Sequence, residues 1–213
     1  MKSKKDVKNI IKILKETYPE AECSLDFSNP FQMAVAVLLS AQCTDARVNI
    51  VTKELFKAAP TAEEMNKLTV KEIEKYIASC GLYKTKAKNI KGLAEMVMDI
   101  YNGEIPDTME ELIKLPGIGR KSANVVMLEA FHNPQGVAID THAKRICNRI
   151  GISKEESPEK IEQDLLKKID KYEYFDANHL CVWHGRYTCK ARKPECERCT
   201  ITKYCNYFKI KNI

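Results

Sequence analysis

Four cysteines grouped near the C-terminal end have the plainest chemical use. They read Cys189-x6-Cys196-x2-Cys199-x5-Cys205. Four thiolates held so close in sequence can close around one metal centre. A single Cys-x2-Cys flanked by outer cysteines differs from the paired Cys-x2-Cys of a zinc ribbon. Four cysteines also suit an iron–sulfur cubane, so spacing alone leaves zinc and iron–sulfur both open. Buried structural thiols are the poorer reading, because Lys190, Arg192, Lys193 and Glu195 make the loop too polar to bury.

The second feature is Leu115-Pro116-Gly117-Ile118-Gly119-Arg120-Lys121. Helical patterns flank it on both sides, so a Gly-x-Gly turn joins two helices into a helix-hairpin-helix. Glycine tolerates unusual backbone angles and leaves the amides bare. Amides at the start of a helix bind phosphate, and phosphate contacts carry no base information. Arg120 and Lys121 directly after the turn strengthen this over an ordinary glycine-capped turn. The third feature is Ile139-Asp140-Thr141-His142. By itself Asp140 reads as a helix N-cap and His142 as a packed or solvated histidine.

The elements that must position these groups are helical almost throughout. Val7, Ile10, Ile11, Leu14 and Tyr18 recur at helical steps, and Pro19 ends that helix. Pro30 opens a second, apolar on all sides over 31–41, which predicts a central buried helix. Further helices are expected over 48–58, 62–68, 70–80, 87–101, 109–114, 120–131, 141–150, 158–169 and 178–189. Gly81 is expected to end one of them as a left-handed C-terminal glycine. Thr108 with Glu111 fits a capping box. Ile90, Leu93, Met96, Val97 and Ile100 should share one buried face. No alternating strand segment is evident, so the class is all-α, built of about ten short helices.

Composition sets the surroundings. The chain has 213 residues, a net charge of +6 and nine cysteines. Its start, Met1-Lys2-Ser3-Lys4-Lys5-Asp6, has no apolar stretch behind it, so no export signal is expected. The apolar run 33–39 is far too short to cross a bilayer. In a reducing cytosol, cysteines serve as core, ligands or redox groups. Residues 186–213 hold eight Lys and Arg against Glu195 and Glu197, so the whole net charge of the chain lies there. Such a patch suits an anionic polymer.

Taken in this order, the hairpin, Asp140 and the cysteine cluster resemble the endonuclease III family of DNA repair glycosylases. The resemblance runs over nearly the whole chain and includes 38–45, Gly81-Leu82-Tyr83, Lys86-Ala87, 123–126 and 184–189. Cys43, Ser122 and Ala143 depart from the usual residues without removing a catalytic group.

The resemblance implies a bifunctional base excision repair enzyme. It would act as a DNA glycosylase on oxidised pyrimidines and as a lyase cutting 3′ to the abasic site. Lys121 would be the Schiff-base nucleophile, which needs a neutral amine although an ordinary lysine titrates at about 10.4. Arg120, partial burial and the helix N-terminus all push that value down. Asp140 would stabilise the cationic sugar or take the lysine proton.

Cys189, Cys196, Cys199 and Cys205 would hold a [4Fe–4S] cluster. The target base must leave the helix stack. Gln42 would fill the gap and Leu82 wedge the opposite strand, although alone they read as a helix-end polar residue and a turn residue. Gly117, Ile118, Gly119, Arg120, Thr141, His142, Lys190, Arg192 and Lys193 would complete the contacts to double-stranded DNA.

Two helical domains flanking a DNA-binding cleft are implied. One is a six-helix barrel over 23–135, with the hairpin at 108–127. The other joins 1–22 to 136–213 and carries the cluster over 189–205. Lys121 and Asp140 would face each other across the cleft of a monomeric cytoplasmic protein. The alternatives are a monofunctional adenine or mismatch glycosylase, which typically lacks the lysine, and a non-catalytic helix-hairpin-helix DNA-binding module.

Overall fold

The computed structural model describes residues 1–211. Twelve α-helices and three 3-10 turns account for its regular structure, with no strand among the described residues. The chain divides into two compact units. One runs Ser24–Asn133; the other joins Met1–Cys23 to the chain from Pro134 onward.

The continuous unit is built around α2 (Pro30–Ser40), whose residues from Phe31 to Leu39 are all buried. Around it stand α3 (Asp45–Ala58), α4 (Ala62–Lys67), α5 (Val70–Ile77), α6 (Tyr83–Tyr101), α7 (Met109–Leu112) and α8 (Arg120–Glu129). Helix α2 packs on α3, α6 and α8, and α6 also receives α4 and α5. An apolar helix enclosed on all sides is what the unbroken 31–41 pattern requires, since no face of it tolerates water.

Side-chain caps start most of these helices. Asn29, Thr44, Thr61, Thr69 and Thr108 each accept a backbone N–H of the first turn. Helices α6 and α8 have no such cap.

Several sequence expectations shift. Helix α5 ends at Ile77, and the left-handed residue that follows is Leu82 (φ 57°), not Gly81. Helix α6 begins at Tyr83, four residues before its apolar pattern does, because Leu82 turns the chain directly into it. Ile100 is 61% exposed. At 100° per residue it lies about 80° from Ile90, beyond the buried stripe of Ala87, Ile90, Leu93, Ala94 and Val97. The capping box at Thr108 is half formed. Thr108 accepts from the Glu111 amide, but the Glu111 carboxylate accepts from the Tyr101 hydroxyl (2.6 Å) and Lys114 (2.6 Å).

The discontinuous unit holds α1 (Lys4–Thr17), α9 (Thr141–Ile150), α10 (Pro158–Leu166), α11 (Tyr174–Tyr187) and α12 (Asn206–Lys211). Helix α11 packs on α1 and α9, and α9 also takes α10 and α12. Helix α11 starts four residues before the expected 178, led in by a 3-10 turn over Lys171–Glu173. The core combines Val7, Ile10 and Leu14 of α1 with Ile146, Cys147 and Ile150 of α9, Ile161 and Leu165 of α10, and Leu180 of α11.

Candidate functional site

The hairpin turn is fixed from inside. Ile118 is buried and its amide donates to the Leu115 carbonyl (3.0 Å). Ile118 therefore anchors the turn instead of presenting it. Gly117 has φ +79°, and a Cβ there would lie 2.7 Å from Leu38 Cδ1 and 3.0 Å from Asn89 Nδ2. Gly119 differs: a Cβ would meet nothing within 4 Å. Gly119, Arg120 and Lys121 are all exposed at the uncapped start of α8, so the partial burial expected of Lys121 is not found.

This difference gives a first test. Gly117→Ala should destabilise the fold by about 1–3 kcal/mol, the range for a strained left-handed residue. Gly119→Ala should leave the denaturation midpoint nearly unchanged and weaken abasic-duplex binding about tenfold, because the added methyl meets only an incoming phosphate. Equal binding by Gly119→Ala and the parent would remove the hairpin from the interface.

Two further loops of this unit carry the expected wedge residues. Gln42 (φ 55°) and Leu82 (φ 57°) are both exposed and both left-handed, Leu82 at 63% exposure. Non-glycine residues rarely adopt this conformation, and such strain gathers at working sites. The two loops touch, since a Cβ built on Gly81 would lie 3.4 Å from the Gln42 carbonyl oxygen.

Lys86 explains how they are held. It is only 5% exposed, and its Nζ donates to the carbonyls of Leu39 (2.9 Å) and Ala41 (2.7 Å). An ammonium from the first turn of α6 thus satisfies the orphan carbonyls that end α2. Sequence reasoning matched Lys86 to the family but gave it no role. A lysine one residue ahead of a buried alanine, within an apolar stripe, was the available signal.

In the discontinuous unit, Asp140 is the N-cap of α9, and its Oδ1 accepts from the Ala143 amide (2.8 Å). The cap reading of Asp140 is thus satisfied by one oxygen, which leaves the other for chemistry. Thr141 beside it is exposed. His142 is half-buried, with its Nδ1 3.1 Å from Arg145 Nη2. Gly185 makes room for it, since a Cβ there would sit 2.7 Å from His142 Cβ.

Farther along α9, two arginines grip the cysteine loop. Arg145 Nε donates to the Cys189 carbonyl (3.0 Å) and its Nη2 to the Gly185 carbonyl (2.9 Å). Arg149 donates to the carbonyls of Lys190 (2.8 Å) and Ala191 (3.0 Å) and to Cys189 Sγ (3.4 Å), and it stacks on the Tyr207 ring. Their four-residue spacing, which puts both on one helix face, was the signal that sequence reading passed over. Within the loop, Arg192 and Lys193 are exposed and Lys193 is left-handed (φ 51°), while Lys190 pairs with Glu195.

Cys189, Cys196, Cys199 and Cys205 line one pocket with Ile150, Ile201 and Phe208. Among the described residues, no three Cys, His, Asp or Glu side chains meet around a single-ion position. Four thiols lining one mostly apolar pocket suit a cluster with one thiolate per corner.

Burial raises the Cys199 and Cys205 thiols above their usual range, and the neighbouring cysteines add to this. His184 stands beside them, its Nε2 3.8 Å from Cys199 Sγ and its Nδ1 3.1 Å from the Tyr18 hydroxyl. Burial, with the charge of Arg145, lowers His184 to about 4, so it is neutral. His184 thus stands as a neutral ring between the Tyr18 hydroxyl and Cys199 Sγ.

An all-helical chain with a phosphate-type hairpin and a cysteine-lined cavity defines the class of helix-hairpin-helix DNA repair proteins. Residues 35–171 match the family described as HhH-GPD superfamily base excision DNA repair protein. Residues 189–205 match the iron-sulfur binding domain of endonuclease III. The chain belongs to the endonuclease III family. It is 45% identical to the endonuclease III of Synechocystis, covering 96% of this chain and 94% of that one. It is 44% identical to that of Rickettsia conorii, covering 95% and 96%. A solved structure of a trapped endonuclease III–DNA covalent intermediate superimposes with a TM-score of 0.95 at 41% identity, over all of both chains.

Proposed function

We propose that Lys121 is the nucleophile and Asp140 its acid–base partner. The enzyme itself is a bifunctional base excision repair protein, a DNA glycosylase with lyase activity that carries a [4Fe–4S] cluster. The observation that carries the assignment is an exposed lysine in the first turn of α8, just past a hairpin with free space at Gly119.

The steps follow from the residues. A target base is turned out of the duplex. Gln42 fills the vacancy and Leu82 enters the opposite strand, both from backbone already held in the left-handed region. The neutral Lys121 amine attacks the sugar C1′, the glycosidic C–N bond breaks, and the base leaves with its electron pair. Asp140 takes the lysine proton or steadies the cationic sugar through its uncommitted oxygen. The lysine nitrogen then expels the ring oxygen, the C1′–O4′ bond breaks with O4′ taking a proton, and the Schiff base so formed makes the C2′ proton acidic. Its removal expels the 3′ phosphate and cuts the strand, and water then releases Lys121.

Backbone phosphates meet Gly119 and Arg120 on one unit, and Thr141, Arg192 and Lys193 on the other. Each phosphate neutralised adds to the salt slope of binding. Ile118 and His142 support these contacts from within. The protein works as a monomer in the cytoplasm, which sedimentation and fractionation would check.

Cys189, Cys196, Cys199 and Cys205 would hold the cluster, which when bound ties four points of a basic loop together. The purified protein should be yellow-brown with about four irons per chain, one per thiolate. Colourless protein with one zinc would overturn the ligand assignment. The test of the reaction itself is borohydride trapping on abasic duplex, where a covalent adduct is expected. A duplex left both uncut and untrapped would leave only a DNA-binding module.

A further inference from the structure

Cys43 and Cys80 play no part in the reaction above, yet they sit where its two wedge loops meet. Cys43 follows Gln42 and Cys80 lies two residues before Leu82. The backbones beside them touch, since a Cβ on Gly81 would lie 3.4 Å from the Gln42 carbonyl oxygen, and this brings the two thiols to neighbouring positions. Cys43 is half-exposed, whereas Cys80 is 2% exposed. Arg47 and Lys86 place positive charge beside the pair.

We propose that Cys43 and Cys80 form a reversible disulfide in response to peroxide, stapling the Gln42 loop to the Leu82 turn. The geometry separates the roles. The half-exposed Cys43 sulfur is the one an oxidant reaches. It attacks one peroxide oxygen, the O–O bond breaks, and hydroxide leaves, giving a sulfenic acid on Cys43. Burial holds Cys80 up at about 11, so it waits as a thiol in contact with that sulfur. It then attacks the Cys43 sulfur; the S–S bond forms, the S–O bond breaks, and water leaves. Two thiols lose two electrons in all, and one peroxide becomes two waters.

A second thiol pair in the same chain shows why this one is singled out. Cys147 and Cys181 are also neighbours, but Cys147 is 0% exposed and both lie in the α9–α11 core. No oxidant reaches that pair without unfolding. Transient, sensing disulfides are the kind a reducing compartment tolerates.

The staple itself does not depend on the wedge roles of Gln42 and Leu82; its effect on repair rests on that reading. The test treats iron-loaded protein with a few equivalents of hydrogen peroxide, then alkylates, digests and maps the peptides. The Cys43 and Cys80 peptides should appear joined and separate with dithiothreitol, while Cys147 and Cys181 stay unlinked. Free alkylated Cys43 and Cys80, a Cys43 sulfinic acid beside a free Cys80, or an equal Cys147–Cys181 link would each overturn the proposal.

Base excision should fall about tenfold or more in the linked form, since small shifts of positioning groups are costly. It should return with reductant, and Cys43→Ala should work normally and ignore peroxide. A linked enzyme with undiminished excision would remove the regulatory role. The reaction assignment would still stand or fall on Lys121 trapping with reduced protein.

Discussion

Lys121→Gln should form no borohydride-trapped adduct with abasic duplex, and its excision rate should fall about a thousandfold or more. Removing a covalent nucleophile costs more than removing any one supporting contact. Folding should be almost untouched, within about 0.5 kcal/mol by urea titration, because Lys121 is exposed on α8. Binding to a non-cleavable abasic analogue should hold within a few fold, since Arg120 and the bare amides remain. Those unchanged readouts make the result interpretable, as a dead enzyme that still folds and binds has lost chemistry alone. A trapped adduct in Lys121→Gln would move the nucleophile elsewhere. A parent that releases the base but forms no adduct would favour the monofunctional alternative.

The second large effect separates two duties of one residue. Asp140 caps α9 with a 2.8 Å bond to the Ala143 amide. Asparagine caps helices as well as aspartate does, whereas alanine costs about 1 kcal/mol. Asp140→Asn should therefore unfold at nearly the parental urea concentration and lose about a hundredfold or more in excision, the typical worth of acid–base or electrostatic help. Asp140→Ala should lose both stability and rate. An Asp140→Asn variant of normal rate would make this residue a cap and nothing more.

The cysteine loop was readable because all four thiols lie between 189 and 205. Covalent spacing alone keeps them near one another. What spacing could not decide was zinc against iron–sulfur. That choice came from the family resemblance and the match of residues 189–205 to the iron-sulfur binding domain of endonuclease III. The hairpin was equally local. Its difference between Gly117, crowded by Leu38 and Asn89, and Gly119, open on all sides, comes from α2 and α6 and was invisible in the turn's own residues.

Gly81 shows the limit of residue preference. It has the free backbone, yet Leu82 takes the left-handed angle. Preference describes what a residue accepts cheaply. The contact of Gly81 with the Gln42 carbonyl and the grip of Lys86 on Leu39 and Ala41 belong to a larger arrangement that overrides it.

By itself the sequence determined the helical class, the hairpin, the thiolate loop and the lysine and aspartate candidates. The first three are written in periodicity or short spacing, and the lysine and aspartate candidates in the resemblance to the endonuclease III family. Only the tertiary structure decided the strained postures of Gln42 and Leu82, the buried Lys86 that anchors them, the arginine pair that grips the cysteine loop, and the meeting of Cys43 with Cys80. Those features join residues between 35 and about 50 positions apart. Their contacts depend on how whole helices pack, and no local pattern of residue types encodes that.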